Sequence, residues 1–325
     1  MLTNLNYKMH TEMDNYKHCF IDVEGIKTHY IEAGTGHPLI LIHGGGALSC
    51  AELNYGSCTK HLMRNFRVIA PDVVNFGETF DKSSKIYTAV EQGEFLIKFL
   101  KSMKLDSIFI GGNSHGGWLV QYIAHKIPSV VKRLIIINSL NGTKGIPDYP
   151  EGAKYIYGPQ GHAHPFPTYD SVKDQLSNLY FDQSLVEENR IKMSLKIVQS
   201  THKIAKERAT TINKSIESTN ADLMFNGKHI SEFAHKLEMP ILMPWGRDDT
   251  SMKPDDGYFC EYGWSFFISC KMQRCMSFQE LNTMFLLIEQ NVGLDSDKLS
   301  KALIIQFYIF RFPHFYLQSM SRTLF

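Results

Sequence analysis

No two of the six cysteines in this 325-residue chain stand at C-x-x-C spacing, and none of them (Cys19, Cys50, Cys58, Cys260, Cys270, Cys275) sits beside histidines at zinc-ligand spacing. Cysteine-based metal modules and redox pairs are thereby excluded, and reduced thiols are the expectation. Basic blocks are missing too. The formal net charge is +1, which argues against nucleic acid or an anionic membrane surface as partner. Long apolar runs are also absent: the stretch Ala302 to Phe310 is too short to span a bilayer. The segment Met1 to Asp22 is polar and holds no apolar core of signal-peptide length, so the expected location is cytoplasmic. There is no internal repeat and no low-complexity tract. What remains is 43% apolar and 21% charged, the composition of a globular protein with a sizeable core.

Short apolar runs alternate with helical patterns along the first half of the chain. Cys19 to Val23 and Ile26 to Ile31 read as a hairpin turning at Glu24-Gly25. Pro38 to Ile42 reads as a buried strand ending at His43-Gly44-Gly45-Gly46, and Phe66 to Ala70 as another, ending at Pro71-Asp72. Val90, Phe95, Leu96, Phe99, Leu100 and Met103 recur at helical spacing, and Val131 to Asn138 reads as a strand buried on both faces. Such alternation predicts βαβ units and a mostly parallel sheet. From about Asn141 to His229 the pattern becomes turn-rich and then polar and helix-favouring, as an insertion would. A strand pattern resumes at Pro240 to Trp245 and ends in Gly246-Arg247-Asp248-Asp249. Ligands of open α/β sheets bind at the carboxyl ends of strands. His43-Gly46, Ser114 and Asp249 all stand at such ends.

The most informative run is Gly112-Asn113-Ser114-His115-Gly116-Gly117, between the apolar stretch Ser107 to Gly111 and the apolar-periodic stretch Trp118 to Ala124. It predicts a strand, a sharp turn with serine at its apex, and a helix. Glycines on both sides permit the tight turn, and the helix N-terminus places positive potential at the hydroxyl. A G-x-S-x-G run in this setting resembles the nucleophile elbow of α/β-hydrolases. Together with Ile31-Glu32-Ala33-Gly34, Leu41 to Gly46 and Pro244 to Asp249, it makes the stretch from about Asp22 to Asp256 similar to the meta-cleavage product hydrolases, which cut a carbon–carbon bond in ring-fission products of aromatic degradation.

That resemblance implies an α/β-hydrolase fold with a mostly parallel central sheet and a helical lid. It makes Ser114 the nucleophile and Asp249 the triad carboxylate, with Asp248 the alternative carboxylate. Serine is a weak nucleophile until a histidine base and an oxyanion hole activate it. The hole would use the backbone N–H groups of His115 and Gly45. Asn54, eleven positions after His43, Asn113 beside the nucleophile and Arg190 in the insertion match the family's substrate-binding residues, the arginine pairing with a substrate carboxylate. A lone lid arginine is more often a solvated surface residue, so it is the three together that favour the carbon–carbon hydrolase over a carboxylesterase. The reaction needs no cofactor and no metal, and its partner is a small-molecule substrate. Members of the family often associate, which leaves a homo-oligomer open.

Most of the 14 histidines read as structural. His43 belongs to the glycine loop, His115 leaves the turn in a direction unsuited to a base, and His162 and His164 read as lid-loop residues rather than a metal pair. Beyond about Gly257 the chain departs from the family. No histidine occurs between Asp249 and His314, so His314 is the downstream candidate base, expected to lie away from Ser114. A non-catalytic relative is therefore a third reading beside the two enzymes. The expected organisation is a first core part at 1–140, the helical lid at 141–229, a second core part at 230–257 and a divergent tail at 258–325.

Overall fold

A nine-stranded sheet carries the glycine loop and the Ser114 turn at the ends of its strands. The structure is a computed structural model that describes residues 15–46, 48–83, 85–139, 167–180, 183–200, 224–226, 228–230, 233, 236–246, 265–270 and 316–318. Strands β1 (Lys17–Val23) and β2 (Ile26–Ala33) form the expected antiparallel hairpin, turning at Glu24 and Gly25, both at positive φ. β3 (His37–Ile42), β4 (Phe66–Pro71), β5 (Ile108–Asn113) and β6 (Val131–Ile137) follow, with a short hairpin of β7 (Met224–Phe225) and β8 (Lys228–His229) outside the sheet. β9 (Ile241–Gly246), β10 (Ser265–Cys270) and β11 (Tyr316–Gln318) complete it. The order is β1-β2-β4-β3-β5-β6-β9-β10-β11. All pairs from β4 across to β10 are parallel, so the sheet is mostly parallel as expected. β10 and β11 stand in the stretch after 257 where no strand pattern was legible.

The period-2 alternation of the central strands sorts their side chains between two layers. Ile40, Ile42, Ile110, Leu134 and Ile136 join one core with helices α2 (Ala89–Ser102) and α3 (His115–Lys126), including the fully buried Trp118. Leu39, Leu41, Val68, Ala70, Ile135 and Ile137 join the other with α1 (Ala51–Leu62), through Ala51, Tyr55, Cys58 and Leu62. α2 begins with a capping box in which Thr88 and Glu91 satisfy each other's backbone N–H groups, a pattern worth about 1 kcal/mol. In the insertion, helix Tyr169–Leu179 and helix 188–200 pack together through Val172, Leu176, Ile191 and Val198. They close over Leu48, and Ile197 closes over Cys50 and Leu53, so the insertion seats on the segment that links β3 to α1. Among the described residues no helix is long and apolar enough to cross a membrane.

One buried carboxylate ties the open end of the sheet together. Asp72, just past β4, accepts hydrogen bonds from His29 Nδ1 at 2.8 Å, the Ala51 N–H at 2.7 Å and the Glu78 N–H at 2.8 Å. It thereby joins β2, the start of α1 and the loop after β4. Burial alone would raise the Asp72 pKa; the hydrogen bond and charge of His29 overcome this and hold it below the usual range. Burial likewise works to lower His29, and Asp72 outweighs it, so His29 titrates above the ordinary imidazole value. A depressed acid stabilises the fold above its unfolded pKa, about 3.9, and that support is lost as pH falls through the folded value. A raised histidine stabilises fully below its unfolded pKa, about 6.5, and that support is lost as pH rises through the folded value. The pair therefore contributes in full between about pH 4 and 6.5. Asp72→Asn leaves a buried imidazolium without its partner and is expected to cost about 3–5 kcal/mol there. Urea unfolding in metal-free buffer should show the deficit shrinking above the raised His29 value; a pH-independent deficit would refute the pairing.

Candidate active site

The elbow is built by exclusion of side chains. Ser114 sits between β5 and α3 with φ 53° and ψ −118°, a conformation that residues with a Cβ rarely adopt. A Cβ on Gly112 would run into the Gly116 carbonyl, and one on Gly116 into the carbonyls of Ile42 and His43 at the end of β3. Only glycine at both places lets α3 start so close to the sheet. The turn is held from below: the Ser114 N–H donates to the Ile137 carbonyl at 2.9 Å, and the Ser114 carbonyl accepts from the Gly117 N–H at 2.9 Å and the Ser139 hydroxyl at 2.7 Å. The serine side chain makes no capping bond to its helix and is half-buried, so the backbone carries the turn.

The glycine loop after β3 lies against this turn. A Cβ built on Gly44 would come within 3.5 Å of the Ser114 Cβ and 3.3 Å of Asn113 Oδ1. Gly45, the next residue, is half-buried, and the Gly46 carbonyl accepts from the Ser49 N–H at 3.0 Å. His43 fixes the loop. Its Nε2 accepts from the Val73 N–H at 3.0 Å while Nδ1 donates to the Gly44 carbonyl at 2.7 Å. An imidazole that accepts at one nitrogen and donates at the other is neutral. His43 is thus structural, as its place in the loop suggested.

The other expected residues fall into two groups. Asn113 donates through Nδ2 to the Ile137 carbonyl at 3.2 Å, and Asn54 accepts from the Cys50 N–H at 3.2 Å, so both are braced by backbone. His115 is buried with Nε2 at 2.7 Å from Gln92 Oε1, which turns its ring toward α2 and leaves its backbone, not its imidazole, beside the nucleophile. Arg190, in helix 188–200, is brought across to α1: its Nη1 donates to the Leu53 carbonyl at 3.4 Å and to the Tyr180 hydroxyl at 2.8 Å. Arg190 and Asn54 are therefore neighbours through Leu53, although 136 positions separate them in the numbering. Tyr180 and Ser139 were not singled out from the sequence. Nothing local marks them, because their roles arise only from packing between distant segments. Asp249, Asp248, His314, His162 and His164 lie outside the described residues.

A family model described as the alpha/beta hydrolase fold matches residues 37–264. The 2-hydroxy-6-oxo-6-(2'-aminophenyl)hexa-2,4-dienoic acid hydrolase of Metapseudomonas resinovorans is 28% identical over 246 residues, 75% of this chain and 78% of that protein. The 2-hydroxy-6-oxo-2,4-heptadienoate hydrolase of Pseudomonas putida is 30% identical over 173 residues, 53% of this chain and 59% of that protein. Among solved structures, the meta-cleavage product hydrolase CumD from Pseudomonas fluorescens IP01 superposes with a TM-score of 0.67 at 21% identity, covering 85% of this chain and 98% of that one. At that identity the likeness speaks for the fold.

The strained turn makes its own test. A non-glycine residue held in a sparsely populated conformation costs on the order of 1–3 kcal/mol. Ser114→Gly removes that strain and adds glycine's entropy loss of roughly 0.5–1 kcal/mol, for an expected net gain of about 1 kcal/mol. Ser114→Ala keeps the strain and should gain nothing. Equal melting temperatures for the two variants would show that the turn is relaxed.

Proposed function

Because the chain belongs to the α/β-hydrolase fold family, we propose that it is a serine hydrolase that cleaves a carbon–carbon bond in a 2-hydroxy-6-oxo-dienoate-type ring-fission product. The observation that carries this reading is Ser114 at its strained elbow with the Gly44-Gly45-Gly46 loop against it. A hydroxyl lifted off the backbone at a helix N-terminus, beside a loop of glycines, suits addition to a carbonyl whose oxygen becomes an anion. We assign the oxyanion contacts to the N–H groups of His115 and Gly45. Asp249 takes the role of the triad carboxylate, whose part is to orient the base and stabilise its charged form; His314 is the downstream candidate for that base.

In this reading the dienol tautomerises to its keto form by moving its enol proton to carbon. The Ser114 hydroxyl adds to the ketone and gives its proton to the triad base. The carbon–carbon bond breaks, that proton passes to the departing dienolate, and water then releases the acyl group from Ser114 as a carboxylic acid. Arg190 would hold the substrate carboxylate. Its contacts to Leu53 and Tyr180 both use Nη1, which holds the guanidinium by one edge, and a guanidinium has five N–H donors in all. Asn54 and Asn113, already braced by backbone, would present their remaining polar atoms to the substrate oxygens. The insertion at 141–229 is the lid, seated on the segment between the glycine loop and α1. The small-molecule substrate enters beneath it.

Fluorophosphonate labelling of the wild type, absent from Ser114→Ala, tests the nucleophile; no labelling of the wild type would make the chain a non-catalytic relative. Turnover of a 2-hydroxy-6-oxo-dienoate against a neutral ester separates the carbon–carbon hydrolase from a carboxylesterase. Removing one charge-assisted pair costs about 1.5–3 kcal/mol. Arg190→Ala should therefore lower kcat/KM for the dienoate about ten- to a hundredfold and leave the ester nearly untouched. Equal losses on both substrates would remove Arg190 from carboxylate binding.

A further inference from the structure

At the sheet edge, away from Ser114, two histidines meet head to head. His18 on β1 and His29 on β2 are diagonal cross-strand neighbours, since Phe20 is paired with His29 and His18 lies two residues before it on the same face. Their inner nitrogens, His18 Nδ1 and His29 Nε2, are 2.9 Å apart, with the rings 23° from coplanar. Glu78, from the loop after β4, completes a group whose ligand atoms all lie within 4.8 Å of one another. Among the described residues this is the one cluster of such side chains with metal-binding spacing.

What surrounds the two rings decides what belongs between them. His29 Nδ1 is 2.8 Å from Asp72 Oδ2, and His18 Nε2 is 3.6 Å from Glu52 Oε1. A ring nitrogen facing a carboxylate carries its hydrogen, and a neutral imidazole has only one to place. When both rings are neutral, the two inner nitrogens are left as lone pairs directed into the same small space; when His29 is an imidazolium, its Nε2–H fills that space by donating to His18 Nδ1. In the neutral pair these lone pairs repel, so a proton or a metal ion belongs between or beside them, and a metal ion competes with the proton for the same place. Carboxylates behind the outer nitrogens of metal-binding histidines are the usual means of fixing ring orientation and raising ligand basicity. Asp72 orients two ligands at once, because its Oδ2 also accepts the Glu78 N–H at 2.8 Å. Glu52 is itself held by the Tyr16 hydroxyl at 3.0 Å.

The geometry points to a divalent transition-metal site of the zinc class formed by His18 Nδ1, His29 Nε2 and the Glu78 carboxylate. Two imidazoles and one carboxylate suit zinc, whereas calcium and magnesium take oxygen ligands. Tetrahedral zinc with bonds of roughly 2.0–2.1 Å needs its two nitrogens about 3.3 Å apart, a few tenths of an ångström beyond their present separation. His18, half-buried on the edge strand, can make that adjustment, while His29, 2% exposed, is held in place. Three protein ligands leave the fourth position to water. Bound there, the ion would fasten the edge strand β1 to the loop that follows β4.

The test is zinc uptake by the full-length protein after chelator treatment, measured in competition with a chromophoric chelator. One equivalent is expected in the wild type and in Ser114→Ala. His18→Gln and Glu78→Gln, both changes at accessible side chains, should each weaken uptake at least about tenfold, and Glu52→Gln about tenfold through the ring it backs. Metal-free melting curves of the variants, compared with the wild type, establish that they are folded. Zinc should raise the melting temperature of the wild type and not that of His18→Gln. Absence of stoichiometric uptake would mean that a proton alone fills the gap and would overturn the site. Uptake unchanged in both His18→Gln and Glu78→Gln would place the ion elsewhere and overturn it equally.

Discussion

The Asp72 carboxylate is the constraint on which the open end of this sheet depends. A charge taken out of water is tolerated only where donors surround it, and here the donors come from a strand, a helix start and a loop. Because the Ala51 N–H is one of them, the carboxylate sets where α1 begins, and so where the braced Asn54 stands one turn later. The loop after β4 in turn presents the Val73 N–H to His43, which fixes Gly44 against the nucleophile. A residue remote from the reaction thus positions, through two short chains of hydrogen bonds, both walls of the candidate site.

Each wall uses a different physical device. The Ser114 turn is made by excluding atoms, since glycines at 112 and 116 let a helix and two strands approach to backbone contact. The other wall is made by apolar burial, with Leu48 and Leu53 covered by two helices of the proposed lid. Exclusion of side chains gives rigidity at the point where a strained backbone must be held. Apolar packing of two short helices is softer, which suits the proposed lid.

Much of this was legible because it is local. The strands ending at Ile42, Ala70 and Asn113 announce themselves by apolar runs that stop at glycine or Pro-Asp, and α2 by six apolar residues at helical spacing. The elbow was readable because its glycines and serine are consecutive. α1 was not, for its buried face includes Gly56 and Thr59 among few large apolar residues, leaving little periodicity to detect. β10 pairs with β9 in parallel, so no hairpin turn marks it, and its other partner, β11, lies about 45 positions further along the chain. Asp72 was seen as a strand end without a role. Its importance lies in a histidine 43 positions earlier, a relation no local pattern carries.

The parallel pairing of β6 with β9 joins Leu134 to Ile241 across an excursion of about a hundred residues. Closing such an excursion costs entropy that grows only with the logarithm of its length, about 0.6 kcal/mol for each doubling. The register of the two strands is fixed by their own buried side chains, which owe nothing to what lies between. Insertions and deletions between the two strands are therefore nearly neutral for the sheet. The length and sequence of that excursion can thus vary independently of the sheet that carries Ser114.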